Sequence, residues 1–88
     1  MKVIFLKKFS KDLDKIKQPK DREAILSLIE SVHNCSSFRE IPNTKKLAGF
    51  KDAYRIRLGD LRIGVFVNED AVDFARVAFR KDIYNLFP

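Results

Sequence analysis

The sequence predicts an α+β fold: a short N-terminal strand, a helical hairpin, a three-stranded antiparallel meander and a short C-terminal helix. Three observations support this fold. Residues 53–66 alternate apolar and polar side chains around Gly59-Asp60, a pair that suits a type II′ hairpin turn. Residues 71–79 are rich in Val, Phe and Ala without alternation, which is typical of a central strand covered on both faces. The third is an apolar stripe at helical spacing: Ile25, Leu28, Ile29 and Val32.

The first half of the chain supplies the strand and the helical hairpin. Residues 3–6 are apolar and β-branched at their start, which favours a strand. Ser10 is a candidate N-cap for the first helix. This helix ends before Pro19, because the residue before a proline is disfavoured in helical geometry. Pro19 then opens the second helix, where a missing N–H group costs nothing.

The remaining segments connect or close the domain. Residues 34–43 are polar and are predicted to form a loop that docks Phe38 and Ile41 on the core. Residues 45–49 lead into the hairpin, and residues 68–70 form a turn. A short terminal helix is expected near residues 82–87, pinned by Ile83, Leu86 and Phe87, with Arg80 and Tyr84 one turn apart on a common side.

Composition limits what this domain does. The 88 residues form one domain with a net charge of +6 and an ordinary apolar content of 45%. Residues 45–62 hold six basic and two acidic side chains, which indicates a nucleic acid or an acidic protein as partner and not a membrane. A lone cysteine, Cys35, fits the cytoplasm. No metal-ligand motif, phosphate loop or catalytic triad is present, so no cofactor or metal is expected.

The hairpin separates two kinds of side chain. If Gly59-Asp60 is the turn, the apolar residues share one face, while Arg55, Arg57 and Arg62 share the other. Arg57 then lies directly opposite Arg62, and like charges in this position repel by up to ~1 kcal/mol. An anion between them would remove the repulsion, which indicates a phosphate-binding face. A merely solvated charged face stays the alternative.

Further residues could join such a site. Guanidinium groups match phosphate oxygens with two parallel hydrogen bonds and stay charged at physiological pH. Arg80 and Tyr84, near the C-terminus, extend the set. Lys45 and Lys46 are either a solvated pair or contacts to a nucleic-acid backbone.

Residues 46–49, 54–63 and 76–84, in this order and with these gaps, resemble the RelE/ParE superfamily of bacterial type II toxins. The resemblance implies a ribosome-dependent endoribonuclease that cuts mRNA in the A site without a metal. The 2′-hydroxyl attacks the adjacent phosphate and leaves a 2′,3′-cyclic phosphate. The catalytic positions of the family fall on Arg57, Arg62, Arg80 and Tyr84. RNA-binding roles fall on Lys45, Lys46, Arg55 and Lys81.

Two departures from the family pattern affect the chemistry. The founding member has lysines at the positions of Arg55 and Arg57, and an arginine does not accept a proton. Many relatives have a histidine where this chain has Phe79. No residue is therefore an obvious general base.

The resemblance also implies partners. These are a cognate antitoxin, acidic or partly disordered, that covers the basic surface, together with the ribosome and its mRNA. Operator DNA would be reached only through the antitoxin. Two other functions stay open: a non-enzymatic gyrase inhibitor of the ParE type, and an inactive toxin that acts as co-repressor with its antitoxin.

Overall fold

The computed structural model describes all 88 residues as a five-stranded sheet with helices on it, in the strand order β1-β5-β4-β3-β2. The α-helices and strands are β1 (Lys2–Phe5), α1 (Lys7–Lys15), α2 (Pro19–Asn34), β2 (Thr44–Lys46), β3 (Ala53–Leu58), β4 (Leu61–Val67), β5 (Ala71–Phe79) and α3 (Arg80–Ile83). A single 3₁₀ turn covers Phe38–Glu40. None of the helices has the length and apolarity to cross a bilayer. The predicted α+β class is confirmed, with β3, β4 and β5 as the antiparallel meander.

Two strand pairings go beyond the predicted sheet. β2 pairs antiparallel with β3, although residues 45–49 were expected only to connect elements. With only three residues, β2 is too short and too polar to show the alternating apolar pattern of a strand. β1 pairs parallel with β5, from Lys2 opposite Ala71 to Phe5 opposite Phe74, so the sheet is mixed and not wholly antiparallel. These pairings depend on distant partners that local sequence does not reveal.

The helical hairpin starts earlier than predicted. α1 begins at Lys7 with Leu6 at its N-cap, so the expectation that Ser10 caps it is wrong. The Leu6 N–H group still bonds to β5, at the Phe74 carbonyl, and the Leu6 carbonyl already accepts the Ser10 N–H group. The chain therefore passes from strand to helix without a connecting loop. Pro19 opens α2 as predicted.

The main core lies between the two helices and one face of the sheet. It contains the predicted stripe of α2, with Ile25 and Val32 fully buried, and both loop residues expected to dock there, Phe38 and Ile41. The apolar face of the hairpin completes this core through Ile56 and neighbouring residues. One face of the meander is thus buried in the main core, which leaves the opposite face available for a functional site.

A smaller apolar cluster fixes the C-terminal segment on that other face. It consists of Leu47, Ala53, Ala75, Ile83 and Phe87. A Cβ atom at Gly64 would overlap the ring of Phe87 at Cγ, so only glycine lets this ring pack against β4. Leu86 was expected to share in the anchoring but is 37% exposed. Ile83 and Phe87 are therefore the residues that hold α3 and Tyr84 to the sheet.

An ion pair closes the open edge of β5. β1 pairs with β5 only as far as Phe74, and α1 runs beside the next residues. The Asp12 carboxylate there accepts hydrogen bonds from Arg76 Nε at 2.7 Å, from Arg76 Nη2 at 3.0 Å and from the Val77 N–H group at 3.1 Å. This hydrogen-bonded carboxylate raises the pKa of Arg76 above its usual value, although burial opposes the shift. Asp12 thus accepts the hydrogen bond from the Val77 N–H group that a neighbouring strand would otherwise accept.

Candidate functional site

The hairpin has the predicted register. Arg57 lies opposite Arg62, and Arg55 lies opposite Gly64. Gly59 has a φ of +60°, and Asp60 has no positive φ, which fits the type II′ turn. Because side chains alternate along a strand, the three arginines share the face opposite the main core.

These arginines border an open cleft of about 300 Å³. The cleft is lined by Asn43, Thr44, Lys45, Arg55, Arg57, Arg62 and Tyr84. Four of the seven side chains are positively charged and none is acidic. Such a concave, basic surface attracts anions and focuses their local concentration.

Tyr84 enters the cleft from the C-terminal segment. Its side chain is 71% exposed, and the guanidinium carbon of Arg55 lies 4.4 Å from the centre of its ring. This cation–π contact fixes one face of the ring. The high exposure leaves area on the ring for a further planar group.

Neutral oxygen atoms hold two of the guanidinium groups. Arg62 Nη1 donates to the carbonyls of Gly59 and Leu61, both at 2.8 Å. Arg57 Nη2 donates to Oδ1 of Asn43 at 3.3 Å. Neither arginine has an acidic partner, so the positive charge of the cleft is oriented but not cancelled.

Three of the predicted site residues lie outside the cleft. Arg80 stands at the start of α3, where its Nε lies 3.8 Å from Oδ1 of Asp60, with both side chains about 70% exposed. Lys46 is opposite Tyr54 in the register, so it projects from the other face of the sheet than Lys45 does. Lys81 is exposed on α3. The structure brings together Arg57, Arg62 and Tyr84 with Lys45 and Arg55.

Comparisons with known proteins agree with this arrangement. The family model of the ParE toxin of type II toxin–antitoxin systems (parDE) matches residues 3–84. Toxin RelE3 of Methanocaldococcus jannaschii is 43% identical over 89 residues, which cover the whole of both chains. The chain belongs to the RelE/ParE family of type II toxins. The resemblance inferred from the sequence is therefore confirmed.

Solved structures extend the match to three dimensions. This toxin is similar to a chain of the RelB–RelE antitoxin–toxin complex from Methanococcus jannaschii, with a TM-score of 0.81, 41% identity and coverage of 97% and 99% of the two chains. The archaeal RelE–RelB complex from Pyrococcus horikoshii OT3 matches with a TM-score of 0.73, 25% identity and coverage of 90% and 93%. YafQ from E. coli, at 14% identity, a TM-score of 0.74 and coverage of 93% and 96%, shares the fold.

Sequence reasoning did not identify two residues that line the toxin's cleft, Asn43 and Thr44. Asn43 has a left-handed backbone with a φ of +63°, which asparagine tolerates better than most residues. The sequence did place Asn43 in the polar loop of residues 34–43. Nothing local indicated that this turn folds against Arg57, fourteen positions further along the chain.

Proposed function

We propose that this toxin is a ribosome-dependent endoribonuclease that cuts mRNA in the ribosomal A site without a metal ion. The observation that carries the proposal is the cleft, in which Arg57, Arg62 and Tyr84 converge with no acidic side chain among them. Membership of a family that contains RelE-type toxins supports it. A phosphodiester is the group that this combination of charge and aromatic surface suits best.

The reaction requires stabilisation of the negative charge that develops on the oxygen atoms of the scissile phosphate. The 2′-hydroxyl oxygen of the message attacks the adjacent phosphate, the bond to the 5′-oxygen breaks, and a 2′,3′-cyclic phosphate and a 5′-hydroxyl result. The 2′-oxygen loses its proton to water and the leaving 5′-oxygen takes a proton from water, so the reaction balances without a dedicated base. Arg57 and Arg62 hold the non-bridging oxygens. Their N–H groups strengthen these hydrogen bonds as negative charge develops in the transition state. Since both groups are anchored before the substrate arrives, little reorganisation is needed.

The cleft has no dedicated general base, and in this proposal the ribosome compensates by holding the message in place. The arginines do not accept a proton, so Lys45 and Tyr84 are the remaining ionisable side chains in the cleft. With no dedicated base, the rate depends on how well the 2′-hydroxyl is aligned with the scissile bond. A message held in the A site is already constrained, whereas a free RNA chain is not. This accounts for the proposed dependence on translation.

Arg80 could support the leaving 5′-oxygen only after a change of partner. In the free toxin it faces Asp60 at 3.8 Å on an exposed surface. Exposed ion pairs of this kind contribute little to stability, about 0–1 kcal/mol. Exchange of the Asp60 carboxylate for an RNA phosphate is therefore inexpensive, and Arg80 keeps its proposed role.

We also propose a cognate antitoxin as the protein partner. The chain carries a net charge of +6, and the cleft has no acidic residue, so an acidic segment would complement it. The relatives from M. jannaschii and P. horikoshii were both solved in antitoxin complexes. Binding over the cleft would exclude mRNA.

Substitutions of Tyr84 separate two roles of its side chain. Tyr84→Ala is expected to slow cleavage on ribosomes about 30-fold, because base–aromatic stacking contributes ~1–3 kcal/mol. Tyr84→Phe, which keeps the ring over Arg55, is expected to retain most of the activity. Single-turnover cleavage of a ribosome-bound message measures both. If the phenylalanine variant is as slow as the alanine variant, the phenolic oxygen takes part in proton transfer to or from the RNA, and stacking does not explain the effect of Tyr84.

Primer extension on translated messages tests the nuclease directly. Induced expression should stop growth and create new 5′ ends within codons, while the same RNA without ribosomes stays intact. The matching family model bears the name of ParE, so gyrase inhibition is the second candidate. Loss of supercoiling at stoichiometric toxin, with intact message, would favour it. Absence of both activities would favour the co-repressor.

A further inference from the structure

Asn43 holds Arg57 at two points. The carbonyl oxygen of Asn43 accepts the Arg57 N–H group at 2.9 Å, and Oδ1 of Asn43 accepts a hydrogen bond from Nη2 of Arg57 at 3.3 Å. The first bond places the strand backbone, and the second orients the guanidinium group. Asn43 itself has a left-handed backbone, with a φ of +63°, directly before β2.

Arg57 needs this restraint more than Arg62 does. The two residues are opposite each other in the register, and their like charges favour movement of the side chains apart into solvent. Arg62 is held by the carbonyls of its own turn, at Gly59 and Leu61. Arg57 has a single side-chain hydrogen bond, to Asn43, and no ion pair.

The chemical nature of the anchor is as important as its position. An aspartate at position 43 would bind the guanidinium group more strongly, because the attraction between opposite charges would add to the hydrogen bond. It would also cancel a charge that the phosphate needs. A neutral amide oxygen orients Arg57 and leaves its charge available, which is the arrangement that transition-state stabilisation requires.

We propose that Asn43 is a positioning residue for Arg57: it holds the guanidinium group on the β2 side of the cleft, across β3 from Arg62, so that the two groups contact the scissile phosphate from two sides. This inference rests on the proposed nuclease function. Asn43 acts through Arg57 and takes no part in proton transfer.

Two substitutions with opposite defects test the inference on programmed ribosomes. Asn43→Gly keeps the left-handed backbone, because glycine adopts it freely, and removes only the side chain. It is expected to lower kcat about tenfold with little change in KM, since a hydrogen bond to a charged group contributes on that scale. Asn43→Asp keeps the acceptor and the shape but adds a negative charge. It is expected to lower kcat as well as to raise KM, because it removes charge from the transition state and repels the RNA, and both effects should shrink as salt concentration rises.

A second measurement does not depend on cleavage. NMR relaxation of the arginine Nε–Hε groups in the free toxin reports how well each guanidinium group is ordered, with Arg62 as internal control. In Asn43→Gly the order of Arg57 should fall while that of Arg62 stays unchanged, and in Asn43→Asp both should stay high. Thermal unfolding close to that of the wild type confirms that the variants are folded.

The outcomes separate the two proposals. A wild-type toxin that cuts no message contradicts the nuclease function, whereas the NMR comparison still decides whether Asn43 restrains Arg57. Wild-type kcat in Asn43→Gly, or an Arg57 as well ordered as before, would overturn the positioning role. A wild-type kcat/KM in Asn43→Asp would overturn the argument that the anchor must be neutral.

Discussion

Replacement of Arg62 by alanine is expected to relieve growth arrest and to slow mRNA cleavage about 100-fold, because one lost transition-state contact typically costs ~3 kcal/mol. Arg62 borders the cleft opposite Arg57, and its guanidinium group is oriented by two carbonyl oxygens. In the proposed mechanism, its removal leaves Arg57 to stabilise the developing charge alone. Mapping of message ends after induction, together with growth curves, measures the effect.

Two further variants make the Arg62 result specific. Arg39→Ala removes an exposed arginine on the 3₁₀ turn, outside the cleft, and is expected to cut message and stop growth like the wild type. Arg62→Lys keeps the charge but loses the two-pronged donor geometry and should fall between wild type and alanine. Message ends in Arg62→Ala that match the wild type in position and abundance would remove Arg62 from the mechanism. Thermal unfolding of each variant shows whether loss of the turn contacts affects the fold.

Replacement of Asp12 by alanine is expected to destabilise the toxin by about 3 kcal/mol, because it leaves the charge of Arg76 without its partner. The two side chains retain only 9% and 18% of their accessible surface, and the Val77 N–H group loses its acceptor as well. In a domain of this size, the loss lowers the melting temperature by about 15 °C. Calorimetry or circular dichroism measures it.

The same helix provides the control for Asp12. Asp14→Ala removes an exposed carboxylate two positions away and should change the melting temperature little. Asp12→Asn keeps the shape and one acceptor oxygen, and is expected to lie between the two. An Asp12→Ala variant that melts together with Asp14→Ala would show that solvent replaces the carboxylate and that the ion pair does not hold the edge of β5.

Local patterns predicted those parts of the molecule that depend on neighbours in sequence. Alternation and turn chemistry around Gly59-Asp60 were sufficient for the hairpin, its register and the facing pair of Arg57 and Arg62. Helical spacing and Pro19 were sufficient for α2. Ser10 misled as a cap because β1 runs directly into α1, a junction fixed by pairing with β5.

The missing parts depend on residues that are distant in sequence. Asp12 and Arg76 are 64 positions apart, and no pattern in either segment announces their contact. β2 forms because its three polar residues pair with the edge of β3. In the cleft, the residue types were predictable, but their contacts were not. The sequence did not show that Arg55 packs on Tyr84 or that Arg80 faces Asp60. Nor did it show that Asn43 accepts a hydrogen bond from Arg57.

The close approach of Phe87 to Gly64 links two positions that are far apart in sequence. A side chain at position 64 would occupy the space of the ring, so it is compatible with the fold only if position 87 becomes smaller at the same time. Substitution histories at these two sites should therefore be correlated among family members. The same ring fixes the segment that bears Tyr84. A substitution at Gly64, which has no side chain in the cleft, would therefore change the geometry of the cleft.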